Sequence, residues 1–248
     1  MKIFILIFIL LNLNACFWNK DKKQIVINQT PKMLFKNAKE EIKSGSTEEG
    51  IKLLKSLQIT YPNSKYNIQS KLEIAYALLK NEDYEEAHAE LERFIKFYPN
   101  HKATAYAYYL RAVIYETKSK SILDEYVTDK AHRDIRSVSK AYRYYVALIK
   151  KYPNSKYSEE AKNKLIILRN VLARHELYVA NFYTKQKAYI AAINRAKYII
   201  ENFPKTPSIP AALVLLERNY KAINATKLAN DAKRVLIKNY PKYKPHFE

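Results

Sequence analysis

Small and apolar residues recur along the chain at the three- and four-residue spacing that lines one face of an α-helix. Ala75 and Leu78 are followed by Ala87, Leu91, Phe94 and Pro99. Ala38, Gly50, Leu54, Leu57 and Pro62 repeat the pattern upstream, and Ala180, Tyr183, Ala192, Ile199 and Pro204 repeat it downstream. In each case the two small residues stand twelve apart, the separation expected where two antiparallel helices approach closely. Each period closes on an aromatic residue followed by proline: Tyr61-Pro62, Tyr98-Pro99, Tyr152-Pro153, Phe203-Pro204 and Tyr240-Pro241. Proline has no N–H for a continuing helix and drives the residue before it out of the α region, so each pair predicts a helix end. "PNSKY", at 62–66 and again at 153–157, then offers Asn or Ser as the N-cap of the next helix.

The proline-to-proline intervals are 37, 54, 51 and 37 residues, which predicts stacked helical hairpins. In the third unit the small pair is Ala112 and Ala141, 29 apart, so an insertion of about residues 118–137 lies between its helices; its polar, mixed-charge sequence predicts an ordered loop. In the fourth unit the surplus falls before Ala180, where 158–184 runs without Pro or Gly and predicts one long helix joining two groups of repeats. The fifth unit is degenerate. This arrangement of small and large positions resembles the tetratricopeptide repeat, and it predicts an all-α, superhelical solenoid of about five hairpins.

The N-terminus has a different pattern. After Lys2, Ile3 to Leu11 give nine consecutive apolar residues, too few for a membrane span of roughly 20 but suited to the core of a secretory signal. Leu13-Asn14-Ala15-Cys16 follows and resembles the lipobox of bacterial lipoproteins, with cleavage before Cys16 and lipid attached to its sulfur. Cys16 is the sole cysteine of the chain, so it has no internal disulfide partner and belongs to no multi-thiolate metal site. The alternative is an incidental cysteine in an ordinary signal peptide. Phe17 occupies the position at which an Asp retains Gram-negative lipoproteins in the inner membrane, which favours the outer membrane.

Composition excludes several classes. The 248 residues include 2 glycines and 22 tyrosines, and such glycine scarcity argues against β-hairpins and phosphate-cradling loops. The formal net charge is +20, concentrated toward the C-terminus, but lysine outnumbers arginine 34 to 10 and Asn and Ile are plentiful. That bias reads as base composition and a solvated basic face, and no nucleic-acid partner is expected. "HRD" at 132–134 lacks the glycine-rich loop and metal-binding motif of a kinase, and the five histidines have no metal-ligand spacing. No catalytic residue, metal or cofactor is expected beyond lipid on Cys16.

Taken together, the lipobox, "YPNSKY", "LERFIKFYP", the long third-unit insertion with Arg133-Asp134, "KYPNSKYSEEA" and "YVANFYTKQKAYIAAINRAKYIIENFP" resemble the BamD (ComL) family, the lipoprotein of the outer-membrane β-barrel assembly machinery. His132 departs from the family, where an acidic residue precedes Arg-Asp. The resemblance implies a lipid-anchored protein on the periplasmic face of the outer membrane, whose C-terminal repeats dock the POTRA domains of BamA, alongside other Bam lipoproteins. Its N-terminal repeats would receive unfolded outer-membrane proteins. Carried over residue by residue, it places Arg195, with its neighbour Asn194, at the BamA contact; Tyr61, Tyr66 and Arg93 at substrate recognition; and Arg133 and Asp134 in a salt bridge locking the insertion. For Tyr61, just before Pro62, packing is the stronger reading. The expected division is a signal peptide at 1–15, a tether at 16–30, repeats 1–3 at 31–155 and repeats 4–5 at 156–248. A lipoprotein scaffold of another envelope machine, pilotin-like or cell-wall associated, shares the lipobox and repeats; a periplasmic enzyme is the more distant alternative.

Overall fold

A computed structural model of the chain describes residues 29–119 and 135–244. Among these residues there are ten α-helices and no strand. They are α1 (Pro31–Ser44), α2 (Thr47–Thr60), α3 (Lys65–Lys80), α4 (Tyr84–Phe97), α5 (Thr104–Lys118), α6 (Ile135–Lys151), α7 (Lys156–Lys185), α8 (Tyr189–Asn202), α9 (Ile209–Ala222) and α10 (Thr226–Asn239). They form two compact units divided between His101 and Lys102, α1–α4 in the first and α5–α10 in the second. Cys16, most of the tether, most of the insertion, and Arg133 and Asp134 lie outside the described residues. The long helix spans 30 residues, about 45 Å at 1.5 Å per residue, and packs within the second unit on helices both before and after it.

The aromatic-proline pairs end helices in one shared geometry. The N–H groups of Tyr61, Tyr98, Tyr152, Phe203 and Tyr240 still reach the carbonyl four residues back, at 2.8–2.9 Å. At Tyr61, Tyr98, Phe203 and Tyr240 φ has moved to between −125° and −135°, outside the helix, because the following proline ring disfavours the α region. The next start is then capped by serine: Ser64 accepts from the Tyr66 N–H at 3.2 Å and Ser155 from the Tyr157 N–H at 3.3 Å. The turn inside a hairpin also repeats in the first, second, fourth and fifth hairpins. Gly45, Glu82, Lys187 and Asn224 all take positive φ, and the next residue donates to a carbonyl five back at 2.9 Å, as Asp83 does to Leu78. This is the left-handed helix stop that usually calls for glycine. Here three of the four positions are filled by other residues, each at a cost of roughly 1–2 kcal/mol, so glycine scarcity coexists with left-handed turns.

The small pairs lie where the helices touch. Ala38, Ala75, Ala87, Ala112, Ala141, Ala180 and Ala192 are fully buried. A Cβ placed on Gly50 would come within 2.5 Å of the Ile42 side chain and 2.7 Å of the Ala38 carbonyl oxygen, so only glycine lets α2 lie this close to α1. Within each unit consecutive helices pack together, and the first helix of a hairpin also stacks on the first helix of the next: α1 on α3, α5 on α7, α7 on α9. In the fifth hairpin Glu217 occupies the place of the first small residue, 24 before the proline; its largely buried side chain pairs with the exposed Lys221 at 2.6 Å. Its junction is instead fastened by Asn219, fully buried, which donates to Thr184 Oγ1 of α7 at 2.9 Å and to the Leu215 carbonyl at 2.7 Å.

Candidate functional site

In the first unit, the stacked faces of α1 and α3 leave an open groove of about 740 Å³. Its floor is aromatic: Phe35 of α1 and Tyr66 of α3 are in ring contact at 5.4 Å between centroids, and Tyr76 lies further along α3, 37% exposed. Lysines at 32, 36, 39 and 43 stand one helical turn apart along α1, and Lys80 joins them from α3. Glu40 and Glu73 are the carboxylates of the lining. Lys39 pairs with Glu73 at 3.6 Å, which ties the two helices together, and Lys36 pairs with Glu40 at 3.4 Å. The groove is therefore an apolar trough with a net positive rim. Such a surface can seat aromatic side chains of an extended chain while the rim meets carboxylates.

The residues singled out for substrate recognition are not all in this groove. Tyr66 lines it. Tyr61 does not: its hydroxyl donates to the Gln29 carbonyl at 2.8 Å, fastening the residues just ahead of α1. Arg93 sits on α4, more than half exposed, with Nη1 donating to Glu90 Oε1 at 2.8 Å. Phe35 and Tyr76 are groove residues that sequence reasoning missed, although the lysine stripe of α1 is visible in the sequence as a four-, three- and four-residue repeat.

In the second unit Asn194 and Arg195 lie exposed on α8. Arg195 Nη1 donates to Glu176 Oε2 of α7 at 3.0 Å; the guanidinium is 45% exposed and the glutamate 17%. A half-sunken carboxylate thus holds one nitrogen of the fork and leaves the side chain reaching outward.

Among the described residues no group of three or more His, Cys, Asp and Glu could hold a metal ion, and no helix is long and apolar enough to cross a membrane. Stacked helical hairpins with small residues at their points of closest approach define a tetratricopeptide-like helical protein. The sequence profile of the YfiO family, described as outer membrane lipoprotein, matches residues 27–236, and the chain belongs to that family. Its similar relatives include the outer membrane protein assembly factor BamD of Neisseria gonorrhoeae, 35% identical over 97% of this chain and 92% of the relative. The factor of the same name from Haemophilus influenzae is 30% identical over 90% of this chain and 84% of its own length, and that of Vibrio cholerae is 29% identical over 93% and 96%.

Proposed function

We propose that this chain is a non-catalytic lipoprotein subunit of the outer-membrane β-barrel assembly machinery, which binds unfolded outer-membrane proteins in the α1/α3 groove and docks the barrel subunit through the Arg195 side of α8. Cys16 carries the lipid that holds it on the periplasmic face of the outer membrane. Family membership supports the machinery, and the groove is the observation that carries the recognition step. An unfolded β-barrel strand alternates apolar and polar side chains, so its apolar residues can meet Phe35, Tyr66 and Tyr76 while its carboxylates meet the lysine rim. Each aromatic contact is expected to contribute about 0.5–1.5 kcal/mol beyond burial.

The test is binding of a fluorescent peptide corresponding to the C-terminal strand of an outer-membrane β-barrel protein. The Tyr66→Ala/Tyr76→Ala variant is expected to bind about tenfold or more weakly with unchanged helicity, and Tyr61→Ala to lose thermal stability rather than affinity. Equal affinity in the double variant would remove the groove from substrate recognition. For the docking half, Arg195→Glu is expected to reduce recovery of a POTRA-containing barrel protein from detergent-solubilised membranes; undiminished recovery would place the contact elsewhere.

A further inference from the structure

A second groove lies wholly within the second unit, between α6 and the α7/α8 hairpin, with a volume of about 680 Å³. α6 contributes Arg136, Lys140 and Arg143, at i, i+4 and i+7, all exposed and all lining the groove. The opposite wall carries Leu172 of α7, Tyr198 of α8 and Phe203 just beyond α8, with the polar His175, Glu176 and Asn202 among them. Tyr198 is 44% exposed and meets Phe203 edge-on at 5.7 Å. Glu176 is the one carboxylate among the described lining residues, and it already accepts from Arg195.

Several cations elsewhere are paired with an acid on their own helix, Lys162 with Glu159, Lys221 with Glu217, Arg234 with Asp231 and Lys52 with Glu49. α6 offers no such acid. Its sequence, IRSVSKAYRYYVALIKK, contains five cations and no acid. Like charges at i,i+3 and i,i+4 cost a few tenths of a kcal/mol per pair, and Lys140 also lies over the Tyr115 ring of α5 at 4.9 Å. Arg136 and Arg143 are about 10 Å apart along the helix axis, close to the reach of carboxylates presented on one face of an acidic segment. Apolar and aromatic residues beside the stripe distinguish the groove from a plain basic surface, because arginines and aromatic rings together are the residues that anchor protein partners.

We infer that the α6–α8 groove is a docking site for an acidic polypeptide segment carrying an apolar residue between its carboxylates. The carboxylates meet Arg136, Lys140 and Arg143, and the apolar residue packs on Leu172, Tyr198 and Phe203. None of these residues lines the α1/α3 groove, so the inference stands or falls independently of substrate recognition there.

The experiment uses the full chain in detergent and fluorescein-labelled peptides of repeating Glu-Glu-Leu and of repeating Lys-Lys-Leu, read by anisotropy at low and moderate salt. The acidic peptide is expected to bind, more weakly as salt rises, and the basic one not to bind. Arg136→Glu/Arg143→Glu is expected to weaken binding about tenfold or more, and Arg136→Gln/Arg143→Gln by less, while Arg234→Glu on α10 leaves it unchanged. Circular dichroism checks the helices, and the Gln variant carries the test if charge reversal disturbs α6. Failure of the acidic peptide to bind, or equal losses in the α6 variants and Arg234→Glu, overturns the proposal. Binding of phosphatidylglycerol vesicles through α6 without binding of the peptide overturns it too, and assigns the stripe to lipid.

Discussion

Tyr145 has no exposed surface, yet it keeps a polar function at the centre of the second unit. Its hydroxyl donates to Glu116 Oε2 at 2.6 Å while Lys164 donates to Glu116 Oε1 at 2.7 Å, so one carboxylate joins α5, α6 and α7. Burial first, and then the adjacent Glu116 charge, push the Tyr145 phenol far above its ordinary 10.0. Burial and the hydrogen bond to Glu160 do the same to Tyr109. A raised pKa means that the folded state holds its proton where the unfolded state has released it. The stabilisation is therefore complete below pH 10.0 and declines as pH rises above it. Tyr145→Phe is expected to lower stability at neutral pH by about 1 kcal/mol, through the donor lost to Glu116, and to flatten the fall in melting temperature between about pH 9 and about pH 11. Melts followed by circular dichroism check both. Parallel alkaline limbs in the two proteins would show that Tyr145 ionises no differently in the folded state. Nearby, the Arg111 guanidinium lies between the rings of Tyr108 at 4.6 Å and Tyr144 at 4.3 Å, a sandwich that lets a cation be buried on aromatic faces.

Helix pairs in this chain are set by their closest point. At Gly50, replacement by Ala would ordinarily gain about 1 kcal/mol of helix propensity. The added Cβ, however, would meet backbone, the Ala38 carbonyl oxygen, at 2.7 Å, and a carbonyl cannot turn aside as a side chain can. Overpacking of this kind costs roughly 1–3 kcal/mol, so the clash outweighs propensity and Gly50→Ala is expected to destabilise the first unit. A thermal melt several degrees below that of the parent protein is the expected result, and a higher melting temperature would show that α1 and α2 separate freely. The same close approaches made the hairpins legible in sequence: the Ala pairs, the aromatic-proline stops and the serine caps are local signals, and the long helix predicted over 158–184 is observed as Lys156–Lys185. What sequence did not reveal depends on residues far apart in the chain. The left-handed turns at Glu82, Lys187 and Asn224 carry no glycine to mark them. Tyr76 becomes part of a groove only because α1 stacks on α3 and brings Phe35 beside Tyr66, and the hold of Glu176 on Arg195 spans 19 residues.

At the scale of the whole molecule two forces could keep the protein at a membrane, and they respond differently to salt. The net charge of +20 attracts anionic headgroups, but over a range that shrinks from about 10 Å at 0.1 M salt to about 3 Å at 1 M. Acyl chains on Cys16 would instead contribute about 0.8 kcal/mol per buried methylene, which salt leaves intact. Removal of residues 1–15 would take away one cation, Lys2, so cleavage there would leave the electrostatic attraction almost unchanged. Cys16→Ala therefore separates the two contributions. The variant is expected to remain partly with membranes at low salt and to leave them in about 1 M salt, whereas the parent protein stays until detergent is added. Fractionation of cell envelopes followed by immunoblotting checks this. Salt release of the parent protein would mean that charge holds it, and salt resistance of Cys16→Ala would mean that another attachment, the uncleaved apolar leader at 3–11 or a protein partner, carries the load. Partner retention is then separable by combining Cys16→Ala with Arg195→Glu: if docking through α8 supplies the residual attachment, only the combined variant becomes soluble.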